Sequence, residues 1–266
     1  MRIILANILA IYRRELQSYF YSPFAYVIAG IFWLISGLFY VLILLGPEGL
    51  LAQVAIRDQM GITEPPIDMP YLLMSTFLNV VGTLSLFVLP MVSMGLYTEE
   101  RKRGTLELLA TSPVTNWAVA LGKLLGALTF FVTMMIPLLV YQAIAFAASN
   151  PPANFAVLLL GNLGLFLFAA SVLSLGMFIS SLTDSTILAA ILTFGLVLFL
   201  WIADLAFNSM TGPGGEFLRQ LSLVKHYNNF IQGVFDTSSL VLFGGYILLG
   251  LFLTAQSIEA FRFQRS

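Results

Sequence analysis

Thr98-Glu99-Glu100-Arg101-Lys102-Arg103-Gly104-Thr105-Leu106-Glu107 is the densest run of charge in an otherwise oily chain. Its chemistry is that of ion pairing and docking. A charged hairpin held at a membrane face offers another protein a surface through which to push on the helices behind it. Other kinds of chemistry lack their residues. No Gly-x-x-x-x-Gly-Lys-Ser/Thr phosphate loop occurs, so the chain cannot hold ATP in that way. Gly122-Lys123 has the wrong preceding spacing and is followed by Leu124. Neither a Gly-x-Ser-x-Gly elbow nor a His-Glu-x-x-His pair is present. With no cysteine, disulfides, thiolate catalysis and Cys-bound metal are excluded. The single histidine, His226, rules out a His-rich metal or haem site. No catalytic residue, no metal and no bound cofactor are expected. Asp204 is the lone acid inside an apolar run, and such an acid is a functional candidate by default. Placed within a turn of the run's outer end, such an acid is more often simply hydrated.

These charges must be positioned by membrane helices. The chain has 266 residues, of which 59% are hydrophobic and 9% charged, with a mean hydropathy of +0.94. Soluble domains carry about 25% charged residues, so this composition cannot cover a water-facing surface. A net charge of -1 gives no electrostatic case for nucleic acid. A helix needs roughly 20 apolar residues to cross about 30 Å of hydrocarbon. Six stretches qualify: 24–45, 71–97, 117–147, 155–180, 186–207 and 240–258. Barrel strands would be half as long and alternate with period two. The expected fold is an all-α membrane protein, a single transmembrane domain over 1–266.

Orientation follows from the basic residues. With the N-terminus inside, Arg2, Arg13, Arg14, Arg101, Lys102, Arg103, Lys123, Arg262 and Arg265 are cytoplasmic, and only Arg57, Arg219 and Lys225 are outside. Both termini are then cytoplasmic in a multi-pass plasma-membrane protein. Lys123 is close enough to its helix start for the stem to snorkel to the interface.

Four segments outside the spans carry structure of their own. Only about nine apolar residues separate Arg2 from Arg13, too few and too uncleavable for a signal peptide. Residues 1–22 read instead as an amphipathic interfacial helix or a plain cytosolic lead-in, with Leu5, Ile8, Leu9, Tyr12, Leu16 and Tyr19 at helical spacing. Residues 46–70 read as a short helix and a loop broken at Pro65-Pro66. Residues 208–239 are too apolar for a free loop. They form short helices that either re-enter the outer leaflet or cap it from above. In the 98–116 loop, Gly104 allows a sharp turn, one or two amphipathic turns follow, and Ser112-Pro113 ends them. Within the spans, Asn79, Thr83 and Ser85 in the second and Thr193 in the fifth could face a cavity or bond between helices. Pro90 and Pro137 permit kinks, and Gly122 with Gly126 permits close helix approach.

The run from Glu99 through Leu109-Ala110-Thr111-Ser112-Pro113-Val114 to Leu121-Gly122-Lys123-Leu124 resembles the signature of ABC-2 type transporter permeases. Tyr12-Arg13-Arg14-Glu15-Leu16 with Ser22-Pro23 is similar to that family's interfacial connecting helix. Leu221-Ser222 through His226, Phe230, Gly233 and Asp236 resembles the branch of gliding-motility permeases. The resemblance implies an ABC-2 (type V exporter-like) fold working as a homodimer or paired permease on separate ATP-binding subunits, which carry the ATP and Mg. It implies a coupling helix centred on 104–109, with Glu99, Glu100 and Arg101 at its approach and Gly104, Thr105, Leu106, Glu107 and Leu109 within it. Arg13, Arg14 and Glu15 fall on the interfacial helix, and Asn79, Thr83 and Asp204 on a possible pathway. Membrane lipid and an extracytoplasmic (periplasmic) protein are further expected partners. With no charged cavity lining, lipid-linked, amphipathic or polymeric cargo fits export better than a small ion. A mechanical envelope complex that moves no cargo, and a self-sufficient carrier, are the competing expectations.

Overall fold

Lipid cannot satisfy a backbone amide, so each long apolar run must close its own hydrogen bonds as a helix. The computed structural model describes residues 2–61, 68–105, 114–149, 153–209 and 219–263. Among these it is all-helical, without strands. The elements are α1 (Arg2–Tyr21), α2 (Pro23–Leu45), α3 (Leu50–Gln59), α4 (Met69–Ser93), α5 (Gly95–Lys102), α6 (Asn116–Ala147), α7 (Phe155–Leu182), α8 (Thr186–Ser209), α9 (Leu223–Ile231) and α10 (Thr237–Phe263). Six are long and apolar enough to cross a membrane, with α4 and α5 joined into one. Local caps begin several of them. Asp68 accepts the Tyr71 N–H, Asn154 that of Ala156 and Ser222 that of Lys225.

Helix α7 is the axis of the fold, packed against α10, α4, α9, α6, α8 and α5. Its glycines and serines let neighbours in closely. A Cβ on Gly161 would meet Leu78 Cδ1 at 2.6 Å, and one on Gly176 would meet Ser93 Oγ at 2.2 Å. Helix α2 lies against α4 and α6, tied by Trp33 Nε1 donating to the Met134 carbonyl (2.8 Å) and Tyr40 donating to that of Tyr141 (2.9 Å). Its other face, including Val27, Ile31, Leu34 and Leu38, is exposed, as a lipid-facing surface should be.

Two sequence expectations change. The second span does not end at residue 97 in a charged loop. It stays helical to Lys102, with a single irregularity at Met94, so Glu99, Glu100 and Arg101 stand on a helix. Lys123 does not snorkel outward. It is 3% exposed, because α1 and α5 bring it countercharges. Helix α1 lies along α6 on matching four-residue steps. Ile11 meets Gly122, Glu15 meets Gly126 and Tyr19 stacks on Phe130 with ring centroids 4.8 Å apart.

Candidate functional site

The charged cluster is legible first as an electrostatic problem. A lone ammonium in a nearly dry site costs several kcal/mol unless it is paired and hydrogen-bonded. The Lys123 ammonium has three N–H donors; two are hydrogen-bonded, and Glu100 adds an ion pair. Nζ lies 3.0 Å from Glu15 Oε2, 3.1 Å from Glu100 Oε1 and 2.7 Å from the Leu96 carbonyl oxygen. The Tyr97 ring lies beneath it, 5.0 Å from centroid to nitrogen. Burial pushes the Glu15 carboxyl above its usual range, against the opposing pull of Lys123. Arg14 reaches Glu100 from outside at 3.8 Å.

The second half of the site is a clamp on the helix break. Where α4 gives way to α5, amides lose regular partners. Ser180 near the end of α7 supplies them: its Oγ accepts the Tyr97 N–H (2.9 Å) and the Thr98 N–H (3.2 Å) and donates to the Met94 carbonyl (2.9 Å). One residue on, the Arg101 guanidinium donates to the Ser181 carbonyl at 2.8 Å. Helix α5 is therefore fastened to α7 on one side and, through Lys123, to α1 and α6 on the other. After Lys102 the chain turns at Gly104, whose φ of 70° is the left-handed region that glycine adopts freely.

The sequence-derived residues separate accordingly. Glu99 is exposed and pairs loosely with Arg103 at 3.5 Å. Glu100 turns inward, its side chain 13% exposed, and its Oε2 is buried without a hydrogen-bond partner. Thr105 is exposed and bonds back to the Glu100 carbonyl. Leu106, Glu107 and Leu109 lie outside the described residues. Arg13 is exposed, while Arg14 and Glu15 join the cluster. Asn79 and Thr83 are exposed on α4, each bonded to its own helix, at Ser75 O and Asn79 O. Asn79 is roughly 30 Å along the helix from Glu100 at 1.5 Å per residue, so the two groups are separate places. Asp204 belongs to α8, and its side chain lies outside the described residues.

Sequence reasoning missed three participants. Lys123 was read as a snorkelling residue and as part of the family-like signature, not as the centre of an ion cluster, and Ser180 only as the end of a span, with Ser181 not named. Two adjacent serines closing an apolar run were the available signal. The structure unites three stretches that are distant in sequence: Arg14-Glu15, Glu99 to Arg101, and Gly122-Lys123.

Six apolar spans around a charged, helix-borne joint define a polytopic membrane protein. The family model described as ABC-2 family transporter protein matches residues 68–203, half of the chain, running from the start of α4 into α8. The chain belongs to the ABC-2 transporter family, as its transmembrane permease. Permeases of this family pair with ATP-binding subunits, and ATP is bound there rather than on the membrane chain. The curated proteins include no match to the chain.

Proposed function

We propose that this permease is the membrane half of an exporter driven by a separate ATPase that docks on the loop following Gly104. The observation that supports this reading is the buried Lys123 joint. It ties the helical stem of that loop to α1 and α6, and the Ser180–Ser181 clamp ties it to α7, so a push on residues 104–110 would be delivered to four helices as one body. Glu99, Arg103 and Thr105 stay outward for the partner, with Leu106, Glu107 and Leu109 as the inserted surface. Glu100 and Arg101 then serve as internal fasteners. Two copies, or this chain and a paired permease, would form the pathway between them. The exposed stripe of Thr76, Asn79, Thr83, Phe87 and Met91 on α4, and the open side of α8 at Gly195, leave faces for that assembly. The basic residues put both termini in the cytoplasm of a plasma or inner membrane. Cargo is lipid-linked, amphipathic or polymeric, since the described spans offer no charged lining along that stripe.

The test is a gentle-detergent purification of the tagged chain, with partners identified by mass and ATPase activity followed. Leu106→Asp and Glu107→Lys should release the ATPase subunit without changing the melting temperature of the permease. Retention of a fully coupled ATPase by both variants would defeat the docking claim.

A mechanical complex, as the gliding-motility likeness implies, is the second reading. What favours it is the exposed pair Val234 and Phe235 beside α9, an apolar foothold for an extracytoplasmic partner. A stoichiometric partner lost on Phe235→Asp, with no cargo moved, would select it.

A further inference from the structure

A cavity of about 260 Å³ opens between α1, α2, the α4–α5 junction and α6. Its walls are of two kinds. One end gathers Arg14, Glu15, Glu99, Glu100, Arg103 and Lys123, while Phe24, Ile28, Met91, Val92 and Phe130 line the other. Among the described lining residues the charges cancel, three basic against three acidic. They are not equally free. Lys123, Glu15 and Glu100 are locked in their cluster. Arg14 and Arg103, each 73% exposed, and Glu99, 57% exposed, stand at the rim in pairs of 3.8 and 3.5 Å. Exposed pairs of that length contribute little, and a ligand carrying both signs can exchange with them. An anion would take the guanidiniums and a cation the Glu99 carboxylate.

We infer that this cavity holds the headgroup of a zwitterionic phospholipid bearing a primary amine, of the phosphatidylethanolamine type. Its phosphate lies between Arg14 and Arg103, and its ammonium on Glu99. The cavity is smaller than the roughly 300–1,000 Å³ typical of pockets that enclose a drug-sized ligand. It therefore takes the headgroup, and the acyl chains leave along Phe24 and Met91, which are 45% and 40% exposed at its apolar end. Guanidiniums suit phosphate because they present paired donors in one plane. Over the whole lining the charges balance, three against three, so a lipid of net negative charge gains no advantage from the cavity's net field. Quaternary amines are bound by open aromatic faces. Here Tyr19 and Phe130 stack one face each on the other, so with Phe24 the described lining offers no cage of several open faces, and the Tyr19 hydroxyl donates to the Val92 carbonyl at 2.7 Å. A primary ammonium, which can donate to a carboxylate, fits and a choline does not. The site shares Glu99 and Arg103 with the proposed docking face, but lipid retention is read on the chain without the ATPase, so failure of either reading is distinguishable from failure of the other.

The experiment is native mass spectrometry on the full chain. The detergent-purified protein is exchanged against equal amounts of phosphatidylethanolamine, phosphatidylcholine and phosphatidylglycerol. One phosphatidylethanolamine per chain should be retained in preference to the other two. Glu99→Gln should reduce its preference over phosphatidylcholine about threefold, as loss of one exposed ion pair implies. Arg14→Gln with Arg103→Gln should weaken both lipids alike. All three positions are exposed, and unchanged melting temperatures would show that the fold survives. Equal retention of the three lipids would overturn the inference, as would a preference untouched by Glu99→Gln. Displacement by water-soluble glycerophosphoethanolamine at the lipid's own affinity would overturn it too, since the apolar end would then contribute nothing.

Discussion

The two ends of the helical bundle are held by opposite means. At the joint, α5 is fastened by charge, through Lys123 to Glu15 and Glu100 and through Arg101 to Ser181. At the far end α9 is fastened by close packing and neutral hydrogen bonds. The Tyr227 hydroxyl donates to the Leu78 carbonyl at 2.6 Å, and a Cβ on Gly164 would meet Phe230 Cβ at 2.4 Å. His226 is pinned between Ser239 Oγ (2.7 Å) and the Gln220 carbonyl (2.9 Å). Long charged side chains hold elements at a distance and can re-pair when the elements shift. Backbone-close aromatic packing has one arrangement and resists sliding. Under the docking reading proposed above, that division would place the charged fastening where the partner pushes and the close packing at the opposite end.

Lys123→Met is the strongest way to break the comparison. It leaves two carboxylates buried together without their cation. Breaking a buried pair in this way costs about 3–5 kcal/mol. The variant should melt far below the parent in detergent, and hydrogen exchange should rise in α1 and α5 while α9 stays protected. Equal loosening of both ends would mean that the bundle has no such division. Gly164→Ala should act in the mirror sense. Overpacking against Phe230 costs about 1–3 kcal/mol, and here exchange should rise in α9 with α5 unchanged.

How much of this was legible in the sequence depended on range. The six spans were readable because hydrocarbon demands length and apolarity within one segment. The turn at Gly104 was readable because it is local, as was the close approach at Gly122 and Gly126. The role of Lys123 was not, since its partner Glu15 is 108 residues away and no spacing rule spans that interval. The continuation of α5 to Lys102 escaped for the same reason: the serine that stabilises the break is on α7, 86 residues from Met94. In 208–239, the apolar positions, among them Leu223 and Phe230, marked short helices rather than a free loop. They did not say whether those helices met lipid or protein, and the structure buries α9 against α7 and its neighbours.

Ser180→Ala sharpens the contrast within the joint itself. It strips the Tyr97 and Thr98 amides of their acceptor while leaving every charge in place. An unsatisfied buried donor costs about 1–3 kcal/mol, so a stability loss of about 1 kcal/mol, near the low end, allows the helix break to adjust. Exchange should rise at residues 94–98 alone. If α1 loosened as well, the ion cluster and the serine clamp would be a single cooperative unit rather than two fastenings.

The smallest effect concerns protons, and its sign is fixed by Glu15. Burial raises that carboxyl above its ordinary value of 4.5 in the folded chain. The folded state therefore binds the proton more tightly than the unfolded chain does. The resulting stabilisation is complete below the ordinary value and is lost as pH rises through the raised one. Glu15→Gln carries no such proton, so its melting temperature should depend less on pH from 4.5 upward than that of the parent. His226 and its neighbours at α9 remain identical in both proteins, so any titration of the far end cancels in the difference. A difference that grows with rising pH in the parent's favour would reverse the sign. It would show that the pull of Lys123 outweighs burial, and the joint would then be a full ion pair at every pH tested.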